Sequence, residues 1–204
     1  EFSHLMVPYL DSQARWISEG FAQYYQNVLL ARSGTYDQAT AWQKIITGLR
    51  RGADSQPSLS PNEAATRGRR GARMKVYWSG AALALMADVE LRARSEGRES
   101  LDTVLDALQR CCLPSDRVWT GMAFFEQLDQ LLDEPVFVAL YERYADAAGF
   151  PDPGTDLSRL GVRWTGVSVE LENDAELAGV REAIMRRDAD VAAWRQGLTE
   201  GPTD

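Results

Sequence analysis

The sequence predicts a mainly helical fold with one short β hairpin near 162–171. Three observations carry that expectation. Apolar residues recur at helical spacing over most of the chain, Ser, Pro and Gly punctuate those stretches, and a single stretch alternates like paired strands. With 204 residues, 45% of them hydrophobic, the chain is long enough to bury a real core.

The elements follow in order. The opening run, 1–10, is apolar and has no cap of its own, so it reads as a helix interior that Pro8 and Asp11 interrupt. The chain therefore reads as a fragment that begins inside an element. A helix is expected over 17–31, with Ser18 as N-cap and Ser33-Gly34 at its end. The next, over 35–51, sets Ala39, Trp42, Ile45, Ile46 and Leu49 on one face.

Gly, Pro, Ser and Arg dominate 52–71, which reads as a long loop. Within it Ser60, Pro61 and Glu63 can cap, open and box a short helix. The stretch 75–95 is apolar on most sides, as in a central buried helix. Further helices are expected over 100–112, 121–132 and 134–148. "GFPDPGTD" then breaks the series, the alternating stretch follows, and 175–198 reads as a last helix before a frayed tail. Repeats and low-complexity tracts are absent from the sequence.

Composition excludes several functions. The net charge is −8 with a pI near 4.8, which argues against nucleic acid as a partner. The one basic cluster, Arg67, Arg69, Arg70, Arg73 and Lys75, reads as a solvated loop, although Arg69, Arg70 and Arg73 could meet a substrate carboxylate. Cys111 and Cys112 are adjacent, lack the spacing of a metal or redox motif, and read as buried small hydrophobes that do not bridge each other. No apolar run reaches the roughly twenty residues of a transmembrane segment.

Chemistry concentrates at Glu1, His4 and Glu19. In H-E-x-x-H two histidines one helical turn apart bind a metal from one face, and the intervening Glu activates a water. Here the chain starts "EFSH", so the pattern lacks only a leading His, expected immediately before Glu1; His4 is the sole histidine. A second element, "RWISEGFAQYY" over 15–25, follows. Its Trp-x-x-Glu-Gly-Phe-Ala core resembles the gluzincin zinc metallopeptidases, the glycyl aminopeptidase-like group in particular, which is related to the aminopeptidase N catalytic domain. A third element, "KVYWSGAALALM" over 75–86, resembles the Tyr-x-x-Gly-Ala segment of the same families.

The resemblance spans about the first 150 residues and implies a fold, a cofactor and roles. The chain would be the helical C-terminal lobe of a thermolysin-like catalytic domain over 1–150, followed by an extension over 151–204 too short for a PDZ-like module. Zn2+ would be held by His4, Glu19 and the missing His. Glu1 would act as general base and then pass its proton to the leaving amine, while Tyr77 hydrogen-bonds the oxyanion. Gly20 would let its helix approach the first one, with Phe21 beneath the metal. Gln23 or Asn27 would accept a hydrogen bond from a ligand histidine, although a polar helix face is the simpler reading of either.

The resemblance also implies a peptide substrate, aminopeptidase-like hydrolysis, and a missing N-terminal half of the domain as the fragment's partner. The fragment alone would be inactive, and family members can be exported. Two departures stand out: the His4–Glu19 connection is shorter than in the aminopeptidase N branch, and the amine-recognition motif lies outside the chain. Two alternatives stay open. One is a non-catalytic relative that uses the fold for binding or scaffolding; the other is an accidental motif in which Glu1-Phe2 is a cloning scar.

Overall fold

A computed structural model describes residues 6–67 and 71–186. Among them the chain forms nine α-helices and one two-stranded antiparallel hairpin, so the mainly helical expectation holds. Helix α4, Arg73–Arg94, runs through the centre, with Leu83, Leu85, Val89 and Leu91 fully buried. Helices α1, Arg15–Arg32, and α2, Gln38–Asp54, lie against it.

The packing follows from residue size. A Cβ placed on Gly20 of α1 would fall 2.1 Å from the Cα of Gly80 in α4. The two helices thus touch backbone to backbone at that point, which only glycine permits. Trp78 of α4 fills the matching gap on the other side, its ring against Gly48 of α2.

Capping accounts for most helix starts. Asp37 caps α2 by accepting from the Thr40 amide. Ser60 and Glu63 form the expected box at α3, Pro61–Arg67, and Ser100 and Thr103 form another at α5, Leu101–Cys112. Thr120 caps α6, Gly121–Asp129. Helix α7, Phe137–Tyr144, borrows its cap from α6: Asp129 accepts from the amides of Val136, Phe137 and Val138, each at 2.8 Å. Phe21, Phe124, Phe125, Phe137 and Tyr141 pack edge and face between α1, α6 and α7.

A charged cluster ties α1, α4 and α5 together. Asp88 accepts from the Tyr24 hydroxyl, Arg92 Nε and the Leu101 amide. Asp102 accepts from the Tyr25 hydroxyl, both terminal nitrogens of Arg32 and one of Arg92. Buried ions need this full set of partners to be tolerated.

After a six-residue helix α8, Gly154–Arg159, strands β1, Val162–Trp164, and β2, Val169–Leu171, pair antiparallel with Val162 opposite Leu171. Helix α9, Ala178–Met185, closes the described chain. Its Arg181 is buried and donates to the carbonyls of Leu160 and Glu172 and to the Asn173 side chain.

Several expectations are corrected. Ser18 is no N-cap: α1 starts three residues earlier, its Ser18 hydroxyl donates back to the Arg15 carbonyl, and Asp11 accepts from the Ala14 amide before the helix. Of the opening run, Val7 to Leu10 is not helical; Leu10 bridges to Trp119. Helix α2 starts and ends three residues later than expected, α6 ends at Asp129, and α7 is shorter at both ends. The break at "GFPDPGTD" leads straight into α8, because its Pro and Gly signal a turn and then a helix start. Of 175–198, the described part is helical only from Ala178 to Met185, and 187–204 lie outside the described residues.

The cysteines and the basic cluster also differ. Cys111 is exposed and Cys112 is half-buried against the core at the end of α5, and the two are joined as a disulfide. Lys75 is no loop cation: it is fully buried in α4, and its Nζ donates to the Gln56 carbonyl, which offsets part of its desolvation. Arg67 and Arg73 are exposed, whereas Arg69 and Arg70 lie outside the described residues.

Candidate active site

Helix periodicity places Arg15, Glu19, Gln23 and Gln26 on one stripe of α1, because positions three, four and seven apart share a face. Trp16, Ile17, Gly20, Phe21 and Tyr24 occupy the opposite, buried side. Two grooves flank the stripe. One, about 850 Å³, is bordered by Leu10, Asp11, Arg15, Glu19, Gln109 and Leu113. The other, about 400 Å³, is bordered by Gln23, Gln26, Asn27, Lys44, Arg51 and Trp78. Glu19 ends the first and Gln23, one turn on, begins the second.

Tyr77 sits on α4, three residues before Gly80, and is half-buried. The Gly20–Gly80 contact therefore locks its helix to the one carrying Glu19. Within each helix, the residue of interest lies inside one turn of the contact point. The Arg73 guanidinium lies 5.2 Å from the centre of the Tyr77 ring. Among the described residues the phenol has no hydrogen-bond partner, so its donor is available to a ligand.

The remaining expected residues are placed as follows. Glu1 and His4 lie outside the described residues. Asn27 is buried and its amide donates to the Gln23 carbonyl, as a residue tied to its own helix does. Gln23 is half-buried at the head of the second groove. Gly20 faces α4 as its close neighbour, and Phe21 packs on Phe124 and Phe125 at 6.0 and 6.3 Å. Arg15, Lys44, Arg51 and Trp78 are among the groove residues to which the sequence assigned no role. A signal for Lys44 and Arg51 existed, since they stand seven apart on the polar face of an amphipathic helix.

Glu19 offers a half-buried carboxylate at a groove edge, an oxygen ligand zinc accepts. Among the described residues, no three His, Cys, Asp or Glu gather as a complete metal site. Glu19 thus fits as one ligand of a set whose other expected members are outside that range.

Comparison with known families gives one match, over part of the chain. Residues 8–81 match the M61 glycyl aminopeptidase family. The M61 match spans Glu19, Gly20, Tyr77 and Gly80, and it ends at Ala81, just after the crossing of α1 and α4. It supports peptidase function at the level of the family and agrees with the gluzincin-like resemblance of the sequence. No curated protein and no solved structure matches the chain. No helix among the described residues is long and apolar enough to cross a membrane.

Proposed function

We propose that the chain carries part of the apparatus of a zinc-dependent, aminopeptidase-like peptide hydrolase. The observation supporting this most is the glycine crossing that joins α1, which carries Glu19, to α4, which carries Tyr77, inside the segment that matches the M61 family. Glu19, His4 and a histidine expected immediately before Glu1 would hold the metal. Zinc, when bound, would supply Lewis acidity, lowering the pKa of a water and polarising the scissile carbonyl.

This chain's own groups supply the rest. The Glu1 carboxylate takes the proton from the attacking water and returns it to the departing amine. The Tyr77 phenol donates to the oxygen on which negative charge develops. The rigid crossing keeps that donor from drifting while substrate binds.

Metal content and turnover of the full-length protein test the assignment. Glu19→Gln is expected to lose stoichiometric zinc, and Glu1→Gln to keep zinc while losing turnover. Retention of full zinc by the Glu19 variant, or of activity by the Glu1 variant, would overturn it.

A further inference from the structure

The second groove beside α1 has a chemical character the proposed hydrolysis does not use. It lies between α1 and α2, with Trp78 among its lining residues. Its border includes two cations, Lys44 and Arg51, and no carboxylate, in a chain whose net charge is −8. Among the described residues neither cation has an ion-pair partner. Lys44 instead lies 5.0 Å from the centre of the Tyr36 ring, and both side chains are exposed.

The rest of the lining is suited to a peptide. Gln23 and Gln26 each carry a donor and an acceptor, which is what an extended backbone needs along its edge, while Gln43 already donates to the Val167 carbonyl. Asn27, only 4% exposed, is held by its bond to the Gln23 carbonyl and gives that border a fixed wall.

Position then sets a distance. Gln26 follows Glu19 by seven residues, or about 10 Å along the helix axis at 1.5 Å per residue. An extended peptide advances roughly 3.3 Å per residue, so the groove lies about three substrate residues from a bond cleaved beside Glu19.

We propose that this groove is a subsite of the peptide substrate in which Lys44 and Arg51 recognise a carboxylate about three residues from the scissile bond. The carboxylate is an acidic side chain or the substrate's own C-terminus. This inference rests on the peptidase reading above. Exposed cations discriminate modestly, by roughly two- to fivefold for one carboxylate.

The test uses the full-length, zinc-loaded protein and peptides in which one Glu is scanned through five positions on each side of the cleaved bond. Each has a Gln twin and a C-terminally amidated form. The kcat/KM ratio of Glu over Gln is expected to peak about three residues away on one side only. It should fall toward one in Lys44→Ala/Arg51→Ala, and Lys44→Glu/Arg51→Glu should favour Lys peptides instead. If amidation alone removes the gain, the C-terminus is what the groove reads; if amidation has no effect, it reads the side chain. A flat scan, or a peak that survives in the double alanine variant, overturns the subsite while leaving the peptidase intact.

A second readout separates the two ideas. Fluorescence anisotropy of labelled Glu and Gln peptides on the Glu1→Gln protein reports binding without turnover. Charge-selective binding that needs Lys44 and Arg51, together with no cleavage of any peptide by the unsubstituted full-length protein, overturns the peptidase reading and retains the groove. Equal binding of both peptides overturns the groove.

Discussion

Gly20 and Gly80 face each other so closely that neither can carry a side chain: a Cβ on Gly20 would meet the Gly80 Cα at 2.1 Å, and one on Gly80 would meet the Trp16 carbonyl oxygen at 2.1 Å. Both obstacles are backbone, which cannot swing aside as a side-chain tip can. Overpacking of this kind costs about 1–3 kcal/mol, and the gain in helix propensity from Gly to Ala returns at most about 1. Gly20→Ala is therefore expected to lower the unfolding free energy by about 2 kcal/mol in urea titrations. An unchanged midpoint would show that the helices separate at no cost.

Tyr77 bears on turnover rather than on the fold. Its phenol has no hydrogen-bond partner among the described residues, so Tyr77→Phe leaves no buried group stranded. Loss of one oxyanion donor reduces kcat by about 10²–10³-fold in comparable sites. The expectation for Tyr77→Phe is a loss of that order in kcat, with KM and thermal midpoint little changed. A rise in KM with kcat intact would reassign Tyr77 to substrate binding.

The cluster of Asp88 and Asp102 gives the fold an acid limit. Burial alone would raise the Asp102 pKa, but the hydrogen bonds and charge of Arg32, the charge of Arg92 and the Tyr25 hydroxyl more than reverse this, so it lies below the ordinary carboxylate value. A lowered folded pKa adds stability that is present above the unfolded pKa, near 3.9, and is lost as pH falls through the folded value. Asp88 has the opposite sign. Its burial outweighs Arg92 and raises the pKa, so its protonation does not undermine the fold as acid is added.

Stability should thus drop below about pH 4 through Asp102. Asp102→Asn should flatten that drop and cost about 2 kcal/mol at pH 7, less than a fully buried pair because its side chain is 36% exposed. Denaturant midpoints measured from pH 2 to 7 for both proteins check it; parallel curves would refute the assignment.

Much of this architecture was readable where its causes are local. Periodicity located α1, α2, α4 and α5, and the Ser60–Glu63 box was evident because both partners lie within four residues. Glu19 and Tyr77 were readable as candidates through their motif settings, and the M61 match covers both. What escaped depends on partners far apart in the chain. Asp88 and Asp102 meet Tyr24, Tyr25 and Arg32 across 64 to 77 residues, and no spacing announces that. The buried state of Lys75 depends on the Gln56 carbonyl lying over it. The cation-lined groove requires α1 and α2 to lie side by side before it exists.

Asp129 shows the same non-local logic on a smaller scale. Its carboxylate holds three consecutive amides at the start of α7, groups that would otherwise lack intrahelical partners. Charge-assisted bonds to backbone amides are strong ones, and a negative group suits a helix N-terminus. Asp129→Ala is expected to cost about 2–3 kcal/mol, and amide exchange should accelerate at Val136, Phe137 and Val138 first. Acceleration spread evenly over α7 would indicate a general loosening instead.

Arg181 gives the final helix a hold on a part of the chain it does not adjoin in sequence. Its guanidinium accounts for the carbonyls of Leu160 and Glu172, one on each side of the hairpin, and for the Asn173 side chain. If α9 lifts away, those acceptors lose the one donor they share. If the hairpin opens, a buried cation is abandoned. Neither piece can fray by itself, so the two open and close as a single cooperative unit, at a free energy well above that of an isolated two-stranded ribbon.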